Sequence, residues 1–226
     1  MTGMAGAIPD PDRADSFHAS MNGHGWEFGL DGVTDLGLLG KPEIMEYYEK
    51  LRPKMAERLG ELRSKIYGSI ASVALFPNCS FLPGIQTFRS WLPRGPRKLE
   101  LRMWTIVNKN MPDEIKQAFN IGCMQTFNPA GIFEMDDGEN WEGNTRINKG
   151  VVTRKEKLHY GCGLRRRIEH SELPGVIYES MYNDANQRQF YQRWADLMSA
   201  SSWDDVPTRY TPRYDGMPTP IGGETT

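Results

Sequence analysis

Apolar residues recur along this chain with two periods, and the switches between them outline its elements. In SFHASMNGHGWEF, alternation puts Phe17, Ala19 and Met21 on one side of a strand and His18 and Ser20 on the other. Asn22-Gly23 supplies the hairpin turn. From Pro42 to Tyr67 the spacing changes to three and four. Ile44, Tyr48, Leu51, Met55, Leu59, Leu62 and Ile66 make one stripe of a long amphipathic helix, with Pro53 expected to kink it on the outer face. The run SIASVALFPNCSFLPG, broken by Pro77 and Pro83, predicts a buried strand and a tight loop. QTFRSWL and KLELRMWTIV return to period two on either side of Pro93-Arg94-Gly95-Pro96, the clearest hairpin in the chain.

Helices follow. One starts at Pro112 over 112–120, with Asp113 and Glu114 in its first turn, and a second spans 129–147 with the acidic run EMDDGENWE. The basic stretch 150–180 fits neither period. A last helix begins near Asn183 or Asp184 and places Phe190, Tyr191, Trp194, Leu197 and Met198 on one face. No internal repeat interrupts the series. Long helices interleaved with antiparallel hairpins define an α+β domain over 17–204. Residues 1–16 are expected to be poorly ordered, and 205–226, rich in Pro, Thr and Gly, to form a flexible tail.

Composition removes several alternatives. The 226 residues suffice for one domain with a sizeable core. A net charge of −2 gives no reason to expect nucleic acid or an anionic membrane as a partner. No apolar run approaches the roughly 18 residues of a membrane-spanning helix, and the first residues lack the pattern of a signal peptide. The three cysteines, Cys79, Cys123 and Cys162, are far apart, which argues against disulfides and against a cysteine-held zinc or iron–sulfur cluster. A cytoplasmic location is expected.

Chemistry concentrates in Phe127-Asn-Pro-Ala-Gly-Ile-Phe-Glu-Met-Asp136-Asp137-Gly-Glu-Asn-Trp141, where two adjacent carboxylates follow an aromatic approach. On a helix Phe133 and Asp137 share a face, so a ring and a carboxylate could line one pocket. By spacing alone, the same run also reads as a solvated acidic helix start favoured by the macrodipole. GIFEMDDGENW resembles the segment that supplies the carboxylate ligand in large (alpha) subunits of Rieske-type aromatic-ring-hydroxylating dioxygenases, the biphenyl and polycyclic-arene group. NGHGW, FPNCSFLPG, WLPRGP with its following strand, and FYQRWADLMSASSW resemble the same family in the same order, from Phe17 to Trp203.

That resemblance implies a helix-grip fold, a curved antiparallel sheet around a long helix. It implies Asp137 as the carboxylate ligand of a mononuclear Fe(II), in a facial triad with two histidines. Asp136 then serves within the helix or behind the ligands. Leu82, Ile85, Phe127 and Phe133 are implied to line a cavity for an aromatic hydrocarbon or aromatic acid, although Leu82 and Phe127 read equally well as ordinary core. The implied reaction adds both atoms of O₂ to the ring, giving a cis-dihydrodiol. Implied partners are a small beta subunit in an α3β3 assembly, and a reductase and ferredoxin carrying electrons from NAD(P)H.

Where the two histidines come from is a separate question. Asp15-Ser-Phe-His18 followed by His24 mimics the family's ligand spacing, and would complete a triad with Asp137. The preferred reading puts His18 and His24 in a hairpin, because NGHGW lies downstream of the ligand pair in relatives. His159 and His170, in a basic stretch, are expected at the surface. The chain then lacks both the iron-binding histidines and the Rieske domain with its [2Fe–2S] cluster, and is expected to be a catalytic-domain fragment truncated at its N-terminus and inactive alone. Two other classes remain open: a non-catalytic helix-grip module binding an apolar ligand, and an inactive assembly fragment.

Overall fold

The computed structural model describes residues 16–29, 40–67, 70–168, 173–180 and 182–208. His170, the segment 1–15 and the tail from 209 onward lie outside them. Asn22 and Gly23 both take positive φ, so the first hairpin, β1 (Ser16–Met21) with β2 (His24–Gly29), turns with the hand that matches strand twist. The amphipathic stripe forms α1 (Pro42–Leu59) and α2 (Glu61–Ile66). The expected single helix breaks at Gly60, whose φ of 81° leaves the helical region, and Pro53 lies within α1.

Strands β3 (Ile70–Leu75) and β4 (Cys79–Leu82) come from the run broken by prolines, and β5 (Thr87–Pro93) with β6 (Leu99–Thr105) from the clear hairpin. The described part of β3 is half-buried or exposed rather than buried, with Leu75 opening to solvent. Next come α3 (Asp113–Gln125) and α4 (Ile132–Ile147). Within the ambiguous basic stretch lie β7 (Arg167–Ile168) and β8 (Val176–Glu179), and α5 (Ala185–Ser199) ends the series.

All eight strands join one antiparallel sheet in the order β6-β5-β4-β3-β2-β1-β8-β7. The sheet has a core at each end. Under the β5–β6 end, Ile44 and Tyr48 of α1 pack with Ile85, Met111, and Ile115, Phe119 and Cys123 of α3. At the β1 end, Ala19, Phe28, Leu173 and Ile177 pack with Leu62 and Ile66 of α2. The opposite face of that end is covered by α5, with Asn186 seated over Gly25 and Phe190 against Phe76. The stripe expected on α5 divides: Phe190 and Leu197 are half-buried, while Tyr191, Trp194 and Met198 face outward. α5 covers a narrow strip of sheet, so only part of a wide apolar face can be buried. The fold is α+β.

Candidate active site

α4 is positioned by its first turn and by two contacts with β5. The backbone at Gly131 presses so closely on the Thr126 carbonyl that a Cβ there would overlap it. That carbonyl accepts the N–H of Phe133 at 3.1 Å, fixing where the helix starts. Arg89 and Trp91, two apart, share a face of β5; Glu134 and Trp141, seven apart, share a face of α4. Arg89 Nη2 donates to Glu134 Oε2, and the Trp91 and Trp141 rings meet edge-on at 4.8 Å. Asp137, three residues after Glu134 and four before Trp141, falls on this same face and is half-buried. Asp136 points outward, where it lines a shallow groove with Glu139.

The Arg89–Glu134 pair is buried, with 6% and 5% of each residue exposed. Burial pushes the Glu134 carboxyl up to about 7; Arg89 pulls it back, and the charge of Asp137 adds to the rise. Burial likewise lowers the Arg89 guanidinium, against the opposing pull of Glu134 and Asp137. The three side chains therefore form one electrostatic unit. Arg89 Nε and Glu134 Oε1 are buried without a hydrogen-bond partner among the described residues. Neither Arg89 nor Glu134 was singled out in the sequence. The available signal was phase: Thr87, Arg89 and Trp91 alternate along one side of QTFRSWL, and Glu134 precedes Asp137 by one turn.

An aromatic and apolar layer adjoins this unit. Phe127 and Phe133 stack at 5.1 Å, and the Arg89 guanidinium lies 5.2 Å from the centre of the Phe127 ring. Phe127 and Leu82 lean on the core that contains Ile85, whose carbonyl accepts the Cys123 thiol at 2.6 Å. The structure thus links Leu82, Ile85, Phe127 and Phe133 through the core and the ring stack, with Ile85 itself fully inside the core and Phe133 one helical turn before Asp137. The two grooves of α4 are lined by other residues.

The histidines are elsewhere. His18 lies on β1 between Glu27 and Tyr178 of the neighbouring strands, 2% exposed. Its Nε2 is 3.0 Å from Glu27 Oε1 yet misaligned for a hydrogen bond. His24 Nδ1 accepts the Phe76 N–H at 3.1 Å, and burial and then the Arg193 charge lower its pKa, which favours this neutral acceptor. His159 is exposed. Among the described residues no three His, Cys, Asp or Glu side chains converge to hold a metal, so His18, His24 and Asp137 do not form a triad. Among the described residues α4 offers carboxylates but no imidazole beside them, which does not amount to a metal site.

Residues 9–200 match the family described as the ring hydroxylating alpha subunit, catalytic domain. Benzene 1,2-dioxygenase subunit alpha of Pseudomonas putida is 34% identical over 205 residues, covering 89% of this chain and 45% of the relative. Biphenyl 2,3-dioxygenase subunit alpha of Rhodococcus jostii is 30% identical over 215 residues, covering 90% of this chain and 46% of that one. In three dimensions the chain is similar to naphthalene 1,2-dioxygenase with indole bound in the active site. That match has a TM-score of 0.78 and 26% identity, and covers 91% of this chain and 46% of that structure. This chain belongs to the ring-hydroxylating alpha-subunit family and has its catalytic-domain fold. It spans about half the length of the curated relatives it matches. Among the described residues, no helix is long and apolar enough to cross a membrane.

Proposed function

We propose that this chain serves aromatic-ring dihydroxylation, in which both atoms of O₂ are added to an arene or aromatic acid to give a cis-dihydrodiol. In this reading Asp137 is the carboxylate ligand of a mononuclear iron(II), and Leu82, Ile85, Phe127 and Phe133 form the apolar wall that holds the ring. In this reading the imidazole ligands and the Rieske [2Fe–2S] cluster come from outside the described residues. Electrons pass from NAD(P)H through a reductase and a ferredoxin, and a small beta subunit completes the assembly.

One observation carries the reading. In a chain matched to this family over 9–200, Asp137 is the one of the two adjacent aspartates that turns inward, on the helix face it shares with Phe133, while Asp136 faces solvent. The residues around it have definable tasks. Arg89 and Glu134 fix the first turns of α4 against β5, and the stacked Phe127 and Phe133 rings supply apolar surface next to that pair.

The test extends the chain to the length of its relatives and assays it with beta subunit, ferredoxin and reductase on biphenyl or naphthalene. A cis-dihydrodiol should form. Asp137→Ala should lower turnover by roughly a hundredfold or more, and Asp136→Ala by only a few fold. Equal activity in the two variants would show that the carboxylate assignment is wrong. Binding of the arene with no oxidation by any extended chain would favour the non-catalytic module instead.

A further inference from the structure

A groove of about 820 Å³ runs between the turn of the β5–β6 hairpin and the second half of α4. Arg94, Arg97 and Lys98 form one bank, Arg146 and Lys149 the other, and Glu142 is the only acidic residue in its lining. Arg94 is held by Glu100 at 2.7 Å. The other four cations make no ion pair among the described residues. Leu99, Leu101 and Trp141 give the lining an apolar component. This concentration of positive charge is local, because the whole chain carries −2.

We propose that the groove docks a carboxylate-rich segment of a partner protein. Its cations sit on two separate elements with apolar side chains also in the lining, an arrangement that suits alternating acidic and apolar side chains better than one compact anion. Nucleic acid fits less well. The neighbouring groove on the same helix is lined by Asp136 and Glu139, which repel a polyanion that continues past the basic stretch. The groove also shares Trp141 with the contact that seats α4 on Trp91, so an occupant touches the helix that carries Asp137. The docking surface does not depend on the catalytic reading of Asp137.

The experiment titrates the full chain into a fluorescein-labelled decapeptide of alternating glutamate and leucine, read by anisotropy. Saturable binding is expected, weakening about tenfold or more when salt rises from about 50 to 200 mM. Arg146→Glu with Lys149→Glu should weaken it at least as much, with the circular dichroism spectrum unchanged. If that pair impairs folding, Arg97→Glu with Lys98→Glu on the opposite bank reads the same prediction. Absence of saturable binding, or binding unaffected by charge reversal on either bank, overturns the proposal. So does equal competition by a single-stranded oligonucleotide of matched charge, or displacement of the peptide by pyrophosphate at equal concentration. Asp137→Ala should bind the peptide as the unaltered chain does, whatever its effect on turnover.

Discussion

The two ends of the sheet each bury a polar side chain under a helix, and they partner it in opposite ways. At the β5 end Arg89 stays paired with Glu134 of α4, 45 residues away, with Asp137 beside both. At the β1 end His18 is buried under α5 with no aligned partner on either ring nitrogen among the described residues, and His24 is held as a neutral acceptor. A guanidinium cannot shed its proton to suit a dry environment, so Arg89 needs an oxygen acceptor, which Glu134 supplies. The first end therefore has a fixed arrangement of charge where chemistry could be placed. The second end is a packing interface, although its sequence spacing looks more like a ligand set.

The sharpest contrast is in stability. Glu134→Ala strands Arg89 as an unpaired buried cation and should cost about 3–5 kcal/mol. Replacing both partners, Arg89→Met with Glu134→Leu, should restore most of that. His18→Leu removes no aligned hydrogen bond and should stay within about 1 kcal/mol of the unaltered chain. Urea denaturation of the four proteins checks this, and a His18→Leu cost equal to that of Glu134→Ala would erase the distinction between the ends.

Next in size is the response to pH, which should run in opposite directions at the two ends. The Glu134 carboxyl, at about 7 in the folded chain against an ordinary 4.5, keeps its proton where the unfolded chain has lost it. Its contribution is full below 4.5 and is lost as pH rises through about 7. His24, lowered from 6.5, works the other way: the unfolded chain takes up the proton first, so stability falls as pH drops below 6.5. Melting curves across this range should show Glu134→Gln flattening the loss towards neutral pH and His24→Gln flattening the loss on acidification. If both variants alter the same limb, the charge assignments are wrong.

What could be read from the sequence follows the range of each interaction. Asn22-Gly23 and Pro93–Pro96 announce their hairpins because turn chemistry is local, and the structure has both. Helical spacing puts Asp137 on the face of Phe133 but leaves open whether that face is buried or solvated, because burial depends on the strand it packs against. The ion pair of Arg89 with Glu134 was not legible, since nothing local ties a strand residue to a helix 45 positions later. β8 escaped for a similar reason: Val176–Glu179 is four residues long, and its place beside β1 depends on a pairing across most of the chain. α5 misled in another way. Its apolar stripe is real, but Tyr191, Trp194 and Met198 lie beyond the strip of sheet that the helix covers.

A smaller effect on stability, with a larger one on product, is expected from Phe133→Ala. Phe133 is half-buried and stacked on Phe127, so its loss should cost about 1–2 kcal/mol. In the extended, active protein it should change which ring carbons are oxidised. Unchanged regiochemistry with a steep fall in melting temperature would return Phe133 to the core.

The difference between the two ends is tested most directly by iron content. In a chain extended to the length of its relatives, mononuclear iron is measured by elemental analysis against the Rieske signal for Asp137→Ala, His18→Ala and His24→Ala. The expected result is loss of the mononuclear iron in Asp137→Ala alone, with Rieske iron kept in all three. Loss of that iron in His18→Ala and His24→Ala, or about one iron bound per chain by residues 1–226 alone and lost in those two variants, would contradict it and make the hairpin histidines ligands.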